Sequence, residues 1–419
     1  MSPTSIQVVA AVIFALALIH TFSTKFFEHL AHTRPTHSGV WHLLAEVEIV
    51  FGFWAMVMIV VMALMTSRTD AVAYLDARNF TEPMFVFAIM VVAGSKPVLQ
   101  AASTGVQALV RVIPLPAPIA FFFTALAIVP LLGSFITEPA AMTLAALLMR
   151  DRIFANASKT LRYGALGVLF VNISIGGTLT PFAAPPVLMV AAKWNYDLMF
   201  MLTHIGWKSA IAVLVNATVL TILFSKELKA MSYSSDSPYK GVPLPMIVLH
   251  GLFLLGIVVF AHHPAAFIAI FLLFMGVATA YPQHQERLIL REGLLVAFFL
   301  GGLVVLGGMQ AWWLQPVLMA MDETQIYFGA TALTAITDNA ALTYLGSQVE
   351  GLSEGFKYAL VTGAVTGGGL TIIANAPNPA GASILKSTFD EGAINPLGLL
   401  AGAAIPTVVA IICFRLFPF

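Results

Sequence analysis

The sequence predicts an all-α polytopic membrane protein made of two inverted repeats of five crossings, each with a re-entrant hairpin and a glycine-broken helix. Three observations carry that prediction. Only 10% of the 419 residues are charged and 59% are hydrophobic, where a soluble domain would hold about 25% charged residues. Apolar stretches of about 18 residues or more recur along the whole length, each enough to cross roughly 30 Å of hydrocarbon. Two unusual polar motifs each occur twice, in the same order. An outer-membrane barrel would show apolar alternation in strands of about ten residues instead.

Full crossings are expected near 5–22, 41–65, 81–101, 164–193, 200–224, 243–261, 265–281, 289–308, 357–389 and 394–416. The stretch from Ile6 to Phe22 has no basic residue before it and no convincing small-residue cleavage site, so it reads as a spanning helix rather than a signal peptide. The stretches 112–149 and 312–350 are too long for one helix and are interrupted midway by polar residues, Ser134 to Pro139 and Thr334 to Asn339. Each reads as a re-entrant hairpin, because irregular backbone survives at membrane depth only when buried in protein or lining a wet cavity.

Basic residues orient the chain. With the 112–149 hairpin on the cytoplasmic side, thirteen Lys and Arg fall inside and five outside, namely Arg68, Arg78, Lys193, Lys357 and Arg415. That excess follows the positive-inside rule. It places both termini outside and the protein in the inner (plasma) membrane.

The first hairpin tip reads Ser134-Phe-Ile-Thr-Glu138-Pro-Ala-Ala141 and the second Thr334-Ala-Ile-Thr-Asp338-Asn-Ala-Ala341. Each tip precedes a broken crossing, Gly176-Gly-Thr-Leu-Thr-Pro-Phe-Ala-Ala-Pro-Pro186 (within 164–193) and Gly367-Gly-Gly-Leu-Thr-Ile-Ile-Ala-Asn-Ala-Pro-Asn-Pro379 (within 357–389). Residues 1–232 and 233–419 then form the two repeats, and an odd number of crossings per repeat makes the second upside down. Discontinuous helices at matching places of inverted repeats point to a transporter's binding site.

A helix interrupted at the midplane leaves carbonyls for a cation and amides for an anion. Gly177 and Gly369 let the backbone leave the helix cheaply. Thr178, Thr371 and Asn375 offer neutral oxygens of the kind hard cations take, and Thr137, Thr337 and Asn339 flank the acids. Glu138 and Asp338 decide the charge question. An acid in the bilayer is costly and is a functional candidate by default, and burial disfavours its charged form. A carboxyl that takes either a proton or a cation is a minimal exchange device. The structural alternative makes Asp338 the N-cap of the next short helix, or makes one acid the partner of Lys96, a candidate charge partner. Lys96 and Lys208 otherwise read as snorkelling lysines, and Asn172 and Asn216 as inter-helix glue.

His29, His32, His37 and His42 lie together, with no specific zinc spacing; proton sensing is the other reading for them. Zero formal net charge gives no sign of a nucleic-acid partner, and one cysteine, Cys413, excludes an internal disulfide framework. No nucleophile–base pair suggests an enzyme. No cofactor or resident metal is expected, the only ions being transported Na+ and H+.

At the tips and breaks the chain resembles the ion transporter superfamily, most closely its NhaD-type sodium/proton antiporters. Those share an acidic-Asn tip like Asp338-Asn339 and glycine-rich breaks like Gly176-Gly-Thr and Gly367-Gly-Gly. The resemblance implies cation sites at the tips, an elevator-like motion and a homodimer formed through a scaffold region. The Glu138-Pro139 tip departs from the family's usual neutral or Asp/Asn tip. The neutral Ser-Asn-Thr tips of the dicarboxylate carriers are absent, and acidic tips would repel a dianion. Exchange of sodium or another monovalent cation for protons is therefore expected. The alternative is a sodium-coupled carrier of a small anion or organic solute.

Overall fold

A computed structural model describes residues 3–231 and 239–417. Among these residues all regular structure is helical. In chain order the helices are α1 (Ser5–Phe22), α2 (Thr24–Thr33), α3 (Ser38–Ala45), α4 (Val47–Met65), α5 (Arg68–Asp76), α6 (Thr81–Ala93), α7 (Lys96–Val112), α8 (Ala117–Ile136), α9 (Glu138–Met149), α10 (Lys159–Gly176), α11 (Pro185–Trp194), α12 (Leu198–Phe200), α13 (Trp207–Leu223) and α14 (Ser225–Ala230). There follow α15 (Leu244–Val259), α16 (Pro264–Ala280), α17 (Leu290–Gly307), α18 (Ala311–Met319), α19 (Glu323–Thr334), α20 (Asn339–Ser347), α21 (Glu354–Gly367), α22 (Asn378–Leu385) and α23 (Pro396–Leu416).

Local chemistry sets the starts. Thr4 and Gln7 close a capping box on α1, Ser158 caps α10 and Ser353 caps α21, each side-chain oxygen satisfying an orphan amide of the first turn. Proline occupies the first turn of α8, α9, α11 and α22, where its missing N–H costs nothing.

Among the described residues, six helices are long and apolar enough to cross a membrane: 5–22, 48–65, 117–136, 198–223, 290–307 and 396–416. The chain is thus an integral, multi-pass membrane protein. Some of the expected crossings differ in form. The stretch 81–101 falls across α6 and α7, which bend by 65° at their junction. Ser95, the N-cap of α7, is extended there (ψ 148°), and Pro97 sits in the first turn of α7, where its missing N–H costs nothing. The stretch 41–65 is divided at Glu46, also extended. The interval 312–350 holds three helices, α18 to α20, rather than two arms. The first apolar arm of 112–149, α8, is 20 residues long and of spanning length by itself.

The helices form two compact units. The first comprises 1–87, 290–322 and 344–352. Within it α4 and α17 meet at their backbones, since a Cβ on Gly302 would strike Phe51 and Gly52. Tyr74 donates to the carbonyl of Val305 at 2.6 Å. The second unit comprises 88–289, 323–343 and 353–419. In it α8 and α10 pack together, as do α19 and α21. Gly176 lies on the Pro130 carbonyl and Gly367 on the Thr331 carbonyl. Each unit draws on both sides of residue 232, which lies outside the described residues.

Candidate functional site

Everything in the candidate site belongs to the second unit. Its first part is the turn between α8 and α9, a single residue, Thr137, with φ 74° and ψ 150°. That region is essentially reserved for glycine, and a residue held there costs about 1–3 kcal/mol. The turn delivers Glu138 as the first residue of α9, with none of its surface exposed. One carboxyl oxygen of Glu138 accepts from the Asn375 side-chain amide at 2.9 Å. The other has no hydrogen-bond partner among the described residues.

Gly177 lies directly against this carboxyl, so that any Cβ there would overlap Glu138. The first break is pinned to the turn by Ser134, whose hydroxyl donates to the Gly176 carbonyl (2.7 Å) and accepts from Leu179 N–H (2.9 Å). The Thr180 hydroxyl donates to the Ser134 carbonyl at 2.6 Å. The second break is held in the same manner: Thr371 donates to the Ala335 carbonyl at 2.8 Å.

Asn378 then bridges that break from within. Its amide donates to the carbonyls of Gly368 (2.7 Å) and Thr371 (2.9 Å), two groups that the interrupted helix would otherwise orphan. The two breaks also touch. Ser174 donates to the Val365 carbonyl at 2.7 Å, and Gly368 and Gly369 pack on Ser174 and Val171 with no room for a side chain.

Asp338 is placed differently from Glu138. It is half-buried, and its Oδ1 accepts from the amides of Ala340 (2.8 Å) and Ala341 (3.3 Å). It therefore caps α20, the structural alternative weighed above, while remaining close enough to Glu138 for their charges to interact. Asn339 beside it is fully buried, and neither atom of its amide has a partner among the described residues.

The other sequence candidates divide in two. The hydroxyl protons of Thr178 and Thr337 are committed locally, to the Ile175 carbonyl (2.7 Å) and the Leu333 carbonyl (2.9 Å). Lys96 pairs with Glu286 at 3.6 Å, at the start of α7. Lys208 does not snorkel: it is 1% exposed and donates to the Tyr358 hydroxyl at 2.8 Å. Asn216 donates to Asn172 at 2.9 Å, an inter-helix link. Two residues escaped the sequence reading, Asn378 and the buried, unpartnered Thr334. The Asn-x-x-Asn spacing of Asn375 and Asn378, which leads into α22, is the signal that could have found the first.

Around Glu138 and the two breaks, the side-chain oxygens of Thr137, Thr334, Asn339, Asn375 and Asn378 are buried and unpartnered. Leaving one such group unsatisfied costs about 1–3 kcal/mol. A set of neutral oxygens with one carboxylate is the donor chemistry of a small hard cation.

In a multi-pass helical membrane protein, a buried acid among unsatisfied oxygens is a functional-site candidate by default. The profile of a family described as "Putative Na+/H+ antiporter" matches residues 5–417, and the chain belongs to that family. A search of curated proteins found no match.

Proposed function

We propose that the protein exchanges sodium, or another monovalent cation, for protons across the inner membrane, and that the two ions compete for Glu138. The observation that carries this reading is the state of that carboxyl: wholly buried, oriented by Asn375 through one oxygen, and without a partner on the other. A proton satisfies the free oxygen on one side of the cycle. On the other side a cation does so, drawing on the unpartnered oxygens of Asn375, Asn378 and Thr137. Asp338 adds negative charge without giving up its capping bonds. Thr371, Gly177 and Gly369 shape the breaks, and Lys96 balances Glu286 outside the cluster.

The finer architecture forms part of the same proposal. Residues 1–232 and 233–419 are inverted repeats, with re-entrant hairpins at 112–149 and 312–350 and both termini outside. Support comes from the matching hydroxyl pins, Thr180 on Ser134 and Thr371 on Ala335. Kinship with the ion transporter superfamily, an elevator-like motion and a homodimer follow from the resemblance.

The test uses proteoliposomes with a preset pH gradient and a pH-sensitive dye. Adding NaCl collapses the gradient for the wild type, and Glu138→Gln abolishes the response while the protein still inserts. A wild-type protein that accumulates a labelled anion with sodium, and leaves the gradient intact, would favour the symport alternative and end this reading.

A further inference from the structure

A second feature of the second unit lies away from the carboxyl cluster. A groove of about 500 Å³ runs between α10, α13 and α23, from Lys159 and Thr160 at one end to Val168 and Val409 at the other. Its walls are apolar, among them Leu220, Leu223 and Ile405.

Two of its three walls are fixed against each other. Behind it α10 and α23 already touch at the backbone, Gly167 on Gly402 and Gly402 on the Tyr163 carbonyl. The two helices therefore have no closer approach by which to close it. Its length follows from the helical rise: Lys159 to Val168 covers about 13 Å and Gly398 to Val409 about 16 Å at 1.5 Å per residue. Half of a hydrocarbon core of about 30 Å is about 15 Å. The groove is about as long as one leaflet is deep.

Its polar end is charged, and Glu227 there is held by the N–H and the hydroxyl of Ser158. Lys159 and Arg162 share one carboxylate, Asp390, at 3.2 Å and 3.9 Å. The Lys159–Asp390 pair is mostly exposed, 73% and 68%, and exposed pairs are weak and readily exchanged. A lysine at the mouth of an apolar slot about one leaflet long matches an amphiphile with one anionic head, and basic pockets between membrane helices bind such heads.

We propose that this groove is a binding site for an anionic phospholipid, one acyl chain lying along α10 and α23 and the phosphate resting on Lys159. Bound there, the lipid packs against the first half of a broken helix, so its occupancy bears on the stability of that helix.

The experiment uses the full chain, incubated in detergent with equal amounts of phosphatidylglycerol and phosphatidylcholine and read by native mass spectrometry. The wild type retains phosphatidylglycerol over phosphatidylcholine by about fivefold, the weight of one basic residue at the surface. Lys159→Glu, an exposed change, keeps lipid but loses the preference. Ala401→Phe, which fills the groove from an exposed position, loses the retained lipid, and phosphatidylglycerol raises the melting temperature of the wild type but not of this variant. Equal retention of the two lipids by the wild type overturns the proposal. So does wild-type retention by Ala401→Phe.

Discussion

Two carboxyls stand near each other, and their surroundings differ enough to separate their roles. Glu138 has a free oxygen and no exposure, whereas Asp338 spends Oδ1 on two backbone amides. Asparagine caps helices as well as aspartate does, so Asp338→Asn leaves the turn folded and removes only charge. Attraction for a cation falls with it, and the apparent KM for Na+ in the dye assay rises about tenfold, equivalent to 1.4 kcal/mol. An unchanged KM would take Asp338 out of the ion's field. Thr137 stands in a glycine region of backbone space with a buried, unpartnered hydroxyl. Thr137→Gly removes strain of about 1–3 kcal/mol, and its melting temperature in detergent equals or exceeds that of the wild type. Its Na+ KM still rises, because the hydroxyl that the proposal gives to the cation has gone. A destabilised Thr137→Gly would mean that the threonine side chain supports the fold by other contacts.

Among the elements, the broken helices depend on glycine at two kinds of place. Gly177 is small so that Glu138 can occupy the adjoining space, and Gly369 is small so that the two breaks can meet. Forcing a methyl into such packing costs typically about 1–3 kcal/mol. Gly177→Ala should therefore insert and purify, melt lower, and lose exchange through displacement of the carboxyl. Full activity in that variant would contradict the close contact. Much of this was legible in the sequence. Glycine and proline inside apolar stretches announce breaks, and an acid within such a stretch announces a buried carboxyl, so the ends of α10, α11 and α21 and the burial of Glu138 could be read directly. What escaped depended on contacts far along the chain. The burial of Lys208 rests on Tyr358, 150 positions away. The pairing of Lys96 with Glu286 joins the start of α7 to a loop that carries no motif. Asn378 escaped because its bonds to Gly368 and Thr371 form only once the helix has opened. The bend between α6 and α7 was foreshadowed by Gly94-Ser95-Lys96-Pro97, yet composition alone joined the two into one crossing.

For the whole molecule, competition at one carboxyl has a kinetic signature. On the proposal that protons and sodium compete for Glu138, the apparent KM for Na+ rises as pH falls, while the maximal rate at saturating Na+ changes less. The dye assay run across a pH series with varied NaCl shows this directly. A maximal rate that falls with pH at constant KM would place the proton on a separate group.

The most direct measurement dispenses with transport. Purified protein in weakly buffered detergent solution is titrated with NaCl while the released protons are counted, since binding a metal ion to a protonated ligand expels its proton. With one exchanging carboxyl, the wild type releases up to about one proton per Na+ bound, and Glu138→Gln releases none. Proton release that persists undiminished in Glu138→Gln would show that another group carries the exchange.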